Sequence, residues 1–155
     1  MESVAAAAGT TVPTLRRRYP DKAALAAAVV DSLRVTPLRA AEGPPRAQAL
    51  AILENFRRNL ERPQSLALLG TLLSEEERSP VLLECFRTRL VGPRRAMLAD
   101  ALKAGVASGD LAATTDVDAA VSMLIGSFYA RYISHGRIPR NWARRVLDQL
   151  WPDAR

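Results

Sequence analysis

The sequence predicts an all-α protein of about eight helices, and three observations carry that prediction. Apolar residues recur at the three- and four-residue spacing of one helix face, and no stretch alternates strictly as a half-buried strand would. Proline and glycine fall between the apolar runs, where helices start and stop. The 155 residues are 48% hydrophobic and 25% charged, near the globular average, so one ordinary domain or two small ones with a real core fit the length, and a large multidomain enzyme does not.

The elements follow in order. An Ala-rich segment from Glu2 to Ala8 stops at Gly9, and a second short segment runs from Val12 to Tyr19. Asp21 is the expected N-cap of a third, which reaches about Leu33 before Pro37 interrupts it. Beyond the Gly43-Pro44-Pro45 break, Ala47, Leu50, Leu53, Phe56 and Leu60 share one face and predict an amphipathic helix from Pro45 to Arg62. Another is expected from Pro63 to Leu73. Ser74-Glu-Glu-Glu77 has capping-box spacing and Ser79-Pro80 places an N-cap before a first-turn proline, so a long helix is predicted to about Ala107, kinked at Gly92-Pro93. Ser108-Gly109-Asp110 ends it. Thr115 or Asp116 then caps a helix that is apolar almost all round, which predicts burial from two sides: once by its own core and once by something else. His135-Gly136 ends that helix, and Pro139 to Trp151 forms the last, with Trp142, Val146 and Leu150 on one face.

Several chemistries are excluded. No Gly-rich phosphate loop, G-x-S-x-G elbow or H-E-x-x-H occurs, and His135 is the only histidine, placed where a helix C-terminus favours a cation. Cys85 is single, which excludes an internal disulfide and a Cys-based zinc module; inside a helix beside Phe86 it reads as a small core residue. Consecutive carboxylates at Glu75, Glu76 and Glu77 point in different directions and read as a solvated first turn. No enzyme activity, cofactor or metal is expected. Ala5 to Ala8 has no basic residue ahead of it and is no secretory signal, and the apolar stretch from Val117 to Ile133 is interrupted by Asp118, Ser122, Ser127 and Arg131. The expected location is the bacterial cytoplasm, with no membrane partner.

Net charge is +6, and 20 of the 22 basic residues are Arg beside 27 Ala. A GC-rich genome accounts for that composition, so the excess becomes informative only where it is concentrated. One concentration lies at the start of the chain. A short helix, a glycine suited to a tight turn, a Thr able to cap and a second short helix make a helix-turn-helix. Leu15 and Tyr19 would dock on the scaffold. Thr11, Val12, Thr14, Arg16, Arg17 and Arg18 would be left outward or at the helix tip, where small and hydroxyl side chains suit base edges and arginines reach phosphate or guanine.

The same segment resembles the tetracycline-repressor (TetR) family of bacterial transcriptional regulators, whose usual run is I-A-x-x-A-G-V-S-x-x-T-L-Y-R-H-F-P-S-K-x-x-L. Val4, Ala5, Ala8, Gly9, Thr11, Thr14, Leu15, Arg17, Pro20, Lys22 and Leu25 stand at matching positions. Arg16 replaces the usual Tyr, giving an ionic version of a phosphate contact, and Tyr19 replaces the usual Phe or Trp. The resemblance implies DNA contacts by Thr10, Thr11, Val12, Pro13, Thr14, Arg16, Arg17, Arg18 and Lys22. It runs on more loosely through Arg94-Arg95, Ser108 to Leu111 and Val117 to Ile133, and implies a helix-turn-helix domain over 1–36 followed by a ligand-binding and dimerisation domain over 37–155.

On that resemblance the expected function is a ligand-responsive transcriptional regulator, a repressor, that binds palindromic double-stranded operator DNA as a homodimer and is released by a small-molecule effector. Apolar candidates for the effector pocket are Phe56, Leu69, Phe86, Met97 and Phe128, which core packing also explains. The expected dimer interface, a four-helix bundle built by the last two helices of each copy, draws on Val121, Leu124, Ile125, Phe128, Tyr132, Trp142, Val146 and Leu150. Family sequences begin with a further helix packed across the motif, whereas Met1 stands immediately before the motif's first helix. The expectation is a DNA-binding domain without that helix, through a misassigned start or a real truncation, with Val4, Leu15, Tyr19 and Leu25 short of one packing wall. The alternative expectation is therefore a dimeric small-molecule-binding protein that does not bind DNA.

Overall fold

A computed structural model of the chain describes residues 1–33, 36 and 42–151. Among these residues every regular element is helical, as expected: α1 (Glu2–Ala7), α2 (Val12–Arg18), α3 (Lys22–Ser32), α4 (Pro45–Leu60), α5 (Ser65–Ser74), α6 (Pro80–Phe86), a π-helical segment (Arg87–Val91), α7 (Gly92–Ala107), α8 (Val117–His135) and α9 (Trp142–Leu150). The predicted long helix is continuous through its π segment, so the count of about eight holds if α6 and α7 are taken together. Pro37, expected to interrupt the chain after α3, lies outside the described residues.

Local chemistry explains most boundaries. Thr11, Asp21 and Asp116 cap α2, α3 and α8 by accepting hydrogen bonds from the backbone N–H of Thr14, Ala24 and Ala119. Gly136 closes α8 at φ 67°, in the left-handed region a C-cap needs. The capping box expected at Ser74 does not form. Ser74 is the last residue of α5 and its hydroxyl donates to the Thr71 carbonyl at 3.0 Å, while Glu75 to Arg78 make a turn. Ser79 holds the N-cap position of α6 without a side-chain bond. The sequence predicts a kink at Gly92-Pro93, and the irregularity falls just ahead of it. Gly92 N–H bonds the Arg87 carbonyl, and this wider turn makes room for a proline that lacks an N–H and would crowd the carbonyl four residues back. The last helix starts at Trp142 rather than Pro139, because Pro139 to Asn141 form the turn that leads into it.

The chain forms two compact units. The first holds the described residues of Met1–Val35 and Leu66–Gly92, and the second those of Thr36–Ser65 and Pro93–Arg155. Residues 66–92 thus join the N-terminal helices, although the sequence predicted a single division after residue 36.

In the first unit α1 packs on α2, and α3 packs along α6. Its buried apolar residues are Ala5, Leu15, Ala26, Val30, Leu72 and Leu83. Arg89 grips both carboxylate oxygens of Asp31 at 3.0 Å, and Arg87 reaches Glu76 at 2.9 Å. Cys85 is half-buried, its sulfur 3.9 Å from the Ala23 carbonyl, in keeping with a packing role.

In the second unit α9 packs against α4 and α8. The centre is aromatic: the fully buried Phe128 ring meets Phe56 edge-on at 5.3 Å and Trp142 at 5.4 Å. Trp142 Nε1 donates to Ser127 Oγ at 3.1 Å, so the buried indole is satisfied. Trp151 covers Gly105, where an added Cβ would stand 2.3 Å from the ring. The one buried polar residue among the described ones, Asn55, belongs to a clasp: Asn59 Nδ2 donates to the Asn55 carbonyl and Oδ1 at 2.9 Å, and Asn59 Oδ1 accepts from Thr36 N–H at 2.8 Å. Arg62 adds a bond to the Thr36 hydroxyl, and Arg46 pairs with Asp148 between α4 and α9.

Candidate nucleic-acid interface

The N-terminal motif is built as its residue types require. Gly9, at φ 60°, turns the chain after α1 in a conformation that side chains resist, and Thr10 N–H bonds the Ala5 carbonyl at 2.9 Å to close the turn. Thr11 then caps α2. Its hydroxyl lies 3.0 Å from the Thr14 hydroxyl and accepts the Thr14 N–H at 3.4 Å, so both threonines stiffen the tip from which α2 starts. Pro13 sits in the first turn, where its missing N–H is not needed.

α2 has two faces. Leu15 is buried, with Val12 and Tyr19 half-buried on the same side. Val12 thus points inward, against the expectation that it would be left outward, because its spacing to Leu15 puts it on the docking stripe. Pro13, Thr14, Arg16 and Arg17 are exposed. Arg18 is exposed as well, but its guanidinium lies 5.7 Å from the Tyr19 ring centroid, a cation–π contact that fixes its direction. No salt bridge is formed by Arg16, Arg17 or Lys22 among the described residues, and the adjacent Asp21 carboxylate is engaged by Ala24 N–H at 2.7 Å. The arrangement is a rigid helix tip whose outward charge is uncompensated, the property a polyanion selects.

Of the four residues expected to lack a wall, Leu15 is nevertheless buried at 8% exposure, whereas Val4 is 40% exposed. Leu25 and Tyr19 are half-buried. Val4, Leu25, Val29 and Leu82 line an open groove of about 460 Å³ in the first unit.

The expected pocket residues are distributed over both units. Leu69 and Phe86 belong to the first, and Phe56, Met97 and Phe128 to the second. Phe128 is fully enclosed by its aromatic neighbours, and Phe56 also meets Tyr129 edge-on at 6.0 Å, which assigns both rings to the core of that unit. Burial pushes the Tyr129 hydroxyl up to about 12.

The expected dimer interface is corrected in part. Val121, Leu124, Phe128 and Trp142 are buried within their own unit, so its core takes them up; Ile125, Val146 and Leu150 are half-buried, and Tyr132 is exposed. The uncovered apolar side of α8 carries Ala119, Met123, Gly126, Ala130 and Ile133, nearly opposite the buried Val121, Leu124 and Phe128. The four-three spacing of those five residues was legible in the sequence, but strongly apolar neighbours on the other face masked it.

No helix among the described residues is long and apolar enough to cross a membrane, and no group of three or more His, Cys, Asp or Glu side chains among them is placed to hold a metal ion.

Comparison with known proteins assigns the arrangement. No curated protein sequence matches the chain. Among solved structures, the crystal structure of the TetR family transcription regulator SCO0332 aligns with a TM-score of 0.66 and 25% sequence identity, over 99% of this chain and 86% of that chain. Residues 39–150 match the family model of the tetracyclin repressor-like C-terminal domain. With that match over most of its length, and a helix-turn-helix ahead of it, the chain belongs to the TetR family of transcriptional regulators.

Proposed function

We propose that the chain is a ligand-responsive repressor that binds palindromic operator DNA as a homodimer and lets go when a small molecule occupies its second unit. The observation that carries this reading is the outward face of α2, where Arg16 and Arg17 stand exposed without an acidic partner beside the Thr11–Thr14 cap. Two such helices would enter successive major grooves roughly 34–36 Å apart, with Arg16, Arg17 and Lys22 on phosphate or guanine and Thr10, Thr11, Pro13 and Thr14 near the base edges. Release requires the effector to favour one state of the dimer over the other, and the half-buried Met97 and Phe56 remain the side chains from which such a site would be lined. The bacterial cytoplasm is where such a regulator meets its operator.

The test is a gel-shift titration of the full chain against DNA upstream of its own gene and of the neighbouring genes. Salt-sensitive binding to one of these fragments is expected, and its absence at low salt would sink the reading.

A second reading is favoured by one observation. Val4 and Val29 are 40% and 39% exposed along the open groove of the first unit, so one side of the motif is uncovered. A dimeric small-molecule-binding protein that does not bind DNA would tolerate that. Amide exchange of α1 and α2 separates the two: protection in the free protein supports the repressor, and exchange at the unfolded rate supports the alternative.

A further inference from the structure

α8 presents an apolar stripe to solvent on the side away from its own core. Met123 is 65% exposed and Ile133 is 84% exposed, and Ala119, Gly126 and Ala130 lie exposed between and beside them at four-three-four-three spacing. That spacing keeps a stripe straight over about 21 Å of helix and is the one by which a helix meets another helix. Exposed Met and Ile at two-turn intervals are what a monomer surface avoids.

Gly126 adds an independent observation. A glycine in a helix interior is worse than alanine by roughly 0.5–1 kcal/mol. Here nothing in the chain accounts for it: its φ is not in the left-handed region, and a Cβ built on it meets no atom within 4 Å. A missing side chain with empty space above it suits the close approach of a backbone from outside.

Charge and shape then select the occupant and its direction. Asp116 and Asp118 stand at the N-terminal end of the stripe, and no Asp or Glu follows until Asp148, while Arg131, His135, Arg137 and Arg140 gather at the other end. We infer that the stripe is the seam of a homodimer in which α8 crosses α8 of a second copy antiparallel, with the two-fold axis at Gly126. This rests on the dimeric reading above and specifies its register. Antiparallel pairing sets Ala119 against Ile133 of the second copy and Met123 against its Ala130, each large side chain facing a small one, with glycine meeting glycine at the centre. It also brings each acidic end to a basic end, whereas parallel pairing would stack large on large, small on small and like charge on like.

Cysteine cross-linking in a Cys85→Ser background tests the register, with sedimentation reporting the oligomeric state. Gly126→Cys is expected to cross-link to itself. Ala119→Cys and Ile133→Cys are each expected to stay uncross-linked alone and to cross-link when the two variants are mixed. Gly126→Leu is expected to weaken dimerisation by about tenfold or more, the effect of ~1.4 kcal/mol of lost contact, with an unchanged far-ultraviolet spectrum. Self-cross-linking of Ala119→Cys and Ile133→Cys overturns the antiparallel register. A dimer by sedimentation without any Gly126→Cys cross-link overturns the seam and leaves the dimeric reading standing, and a monomer at all concentrations overturns both.

Discussion

At the scale of single residues, the arginines of α2 divide by what surrounds them. Arg18 is held over Tyr19, whereas Arg16 and Arg17 are exposed and make no salt bridge. Only the latter two have their full charge to offer. Arg17→Ala should therefore weaken binding to every DNA sequence about equally and reduce the slope of log affinity against log salt by roughly one; an unchanged slope would remove Arg17 from the phosphate contacts. A second residue-scale consequence follows from Tyr129. Burial among Phe56 and Phe128 raises its hydroxyl from 10.0 to about 12, because the phenolate would be poorly solvated there. Since the folded value lies above the unfolded one, the protonated form is favoured by folding; stability is undiminished below about pH 10 and is lost as pH rises towards 12. Tyr129→Phe should flatten that alkaline loss, as followed by circular dichroism against pH, and an identical profile would show that Tyr129 titrates freely. The roles of Tyr129 and Asn55 were not legible in the sequence, because their neighbours lie on other elements.

At the scale of elements, what was legible is what is decided locally. Thr11, Asp21, Asp116 and Gly136 could be named as caps and stops because each acts within four residues of itself. Ser74 shows the limit: the same local pattern fits a start or a finish, and continuation of α5 through Leu72, which is buried, decided for the finish. Pro93 foretold an irregularity but not its form, since a kink and a π turn both spare the proline a clash. α8 was read correctly as apolar on two sides, yet which side met the core depended on α9 packing against it. For α2 the cap matters out of proportion to its size, because a helix of seven residues has little internal stability. Thr11→Ala removes both the capping bond and the hydroxyl pair with Thr14, and is expected to cost the motif about 1 kcal/mol. The measurement is amide exchange of α2; equal protection in the variant would mean that tertiary contacts alone hold the helix.

At the scale of the whole molecule, the two units differ in what they bury. The first is held by Ala5, Ala26, Leu15, Val30, Leu72 and Leu83, whereas the second encloses Leu53, Leu98, Leu102, Phe128, Leu147 and two tryptophans. Apolar burial stabilises at roughly 25 cal/mol per Å², so the larger side chains of the second unit give it the greater share. Exposed ion pairs such as Arg89 with Asp31 contribute only about 0–1 kcal/mol and do not close the gap. The first unit also depends on α3 meeting α6, partners about fifty residues apart in the chain, which is why its discontinuous make-up was hidden from a reading that proceeds along the sequence. Such a unit should open on its own before the rest unfolds. In native-state amide exchange under increasing denaturant, α3 and α6 are expected to exchange together at a lower free energy than α4 and α8, and a single common free energy would show one cooperative unit instead. Operator DNA that binds only the closed first unit should raise the protection of α3 and α6 towards that of α4 and α8, by an amount set by DNA concentration over its dissociation constant. A regulator whose DNA-binding part is the less stable one is sensitive to small differential energies, because one or two kcal/mol is then enough to change the fraction of molecules able to bind.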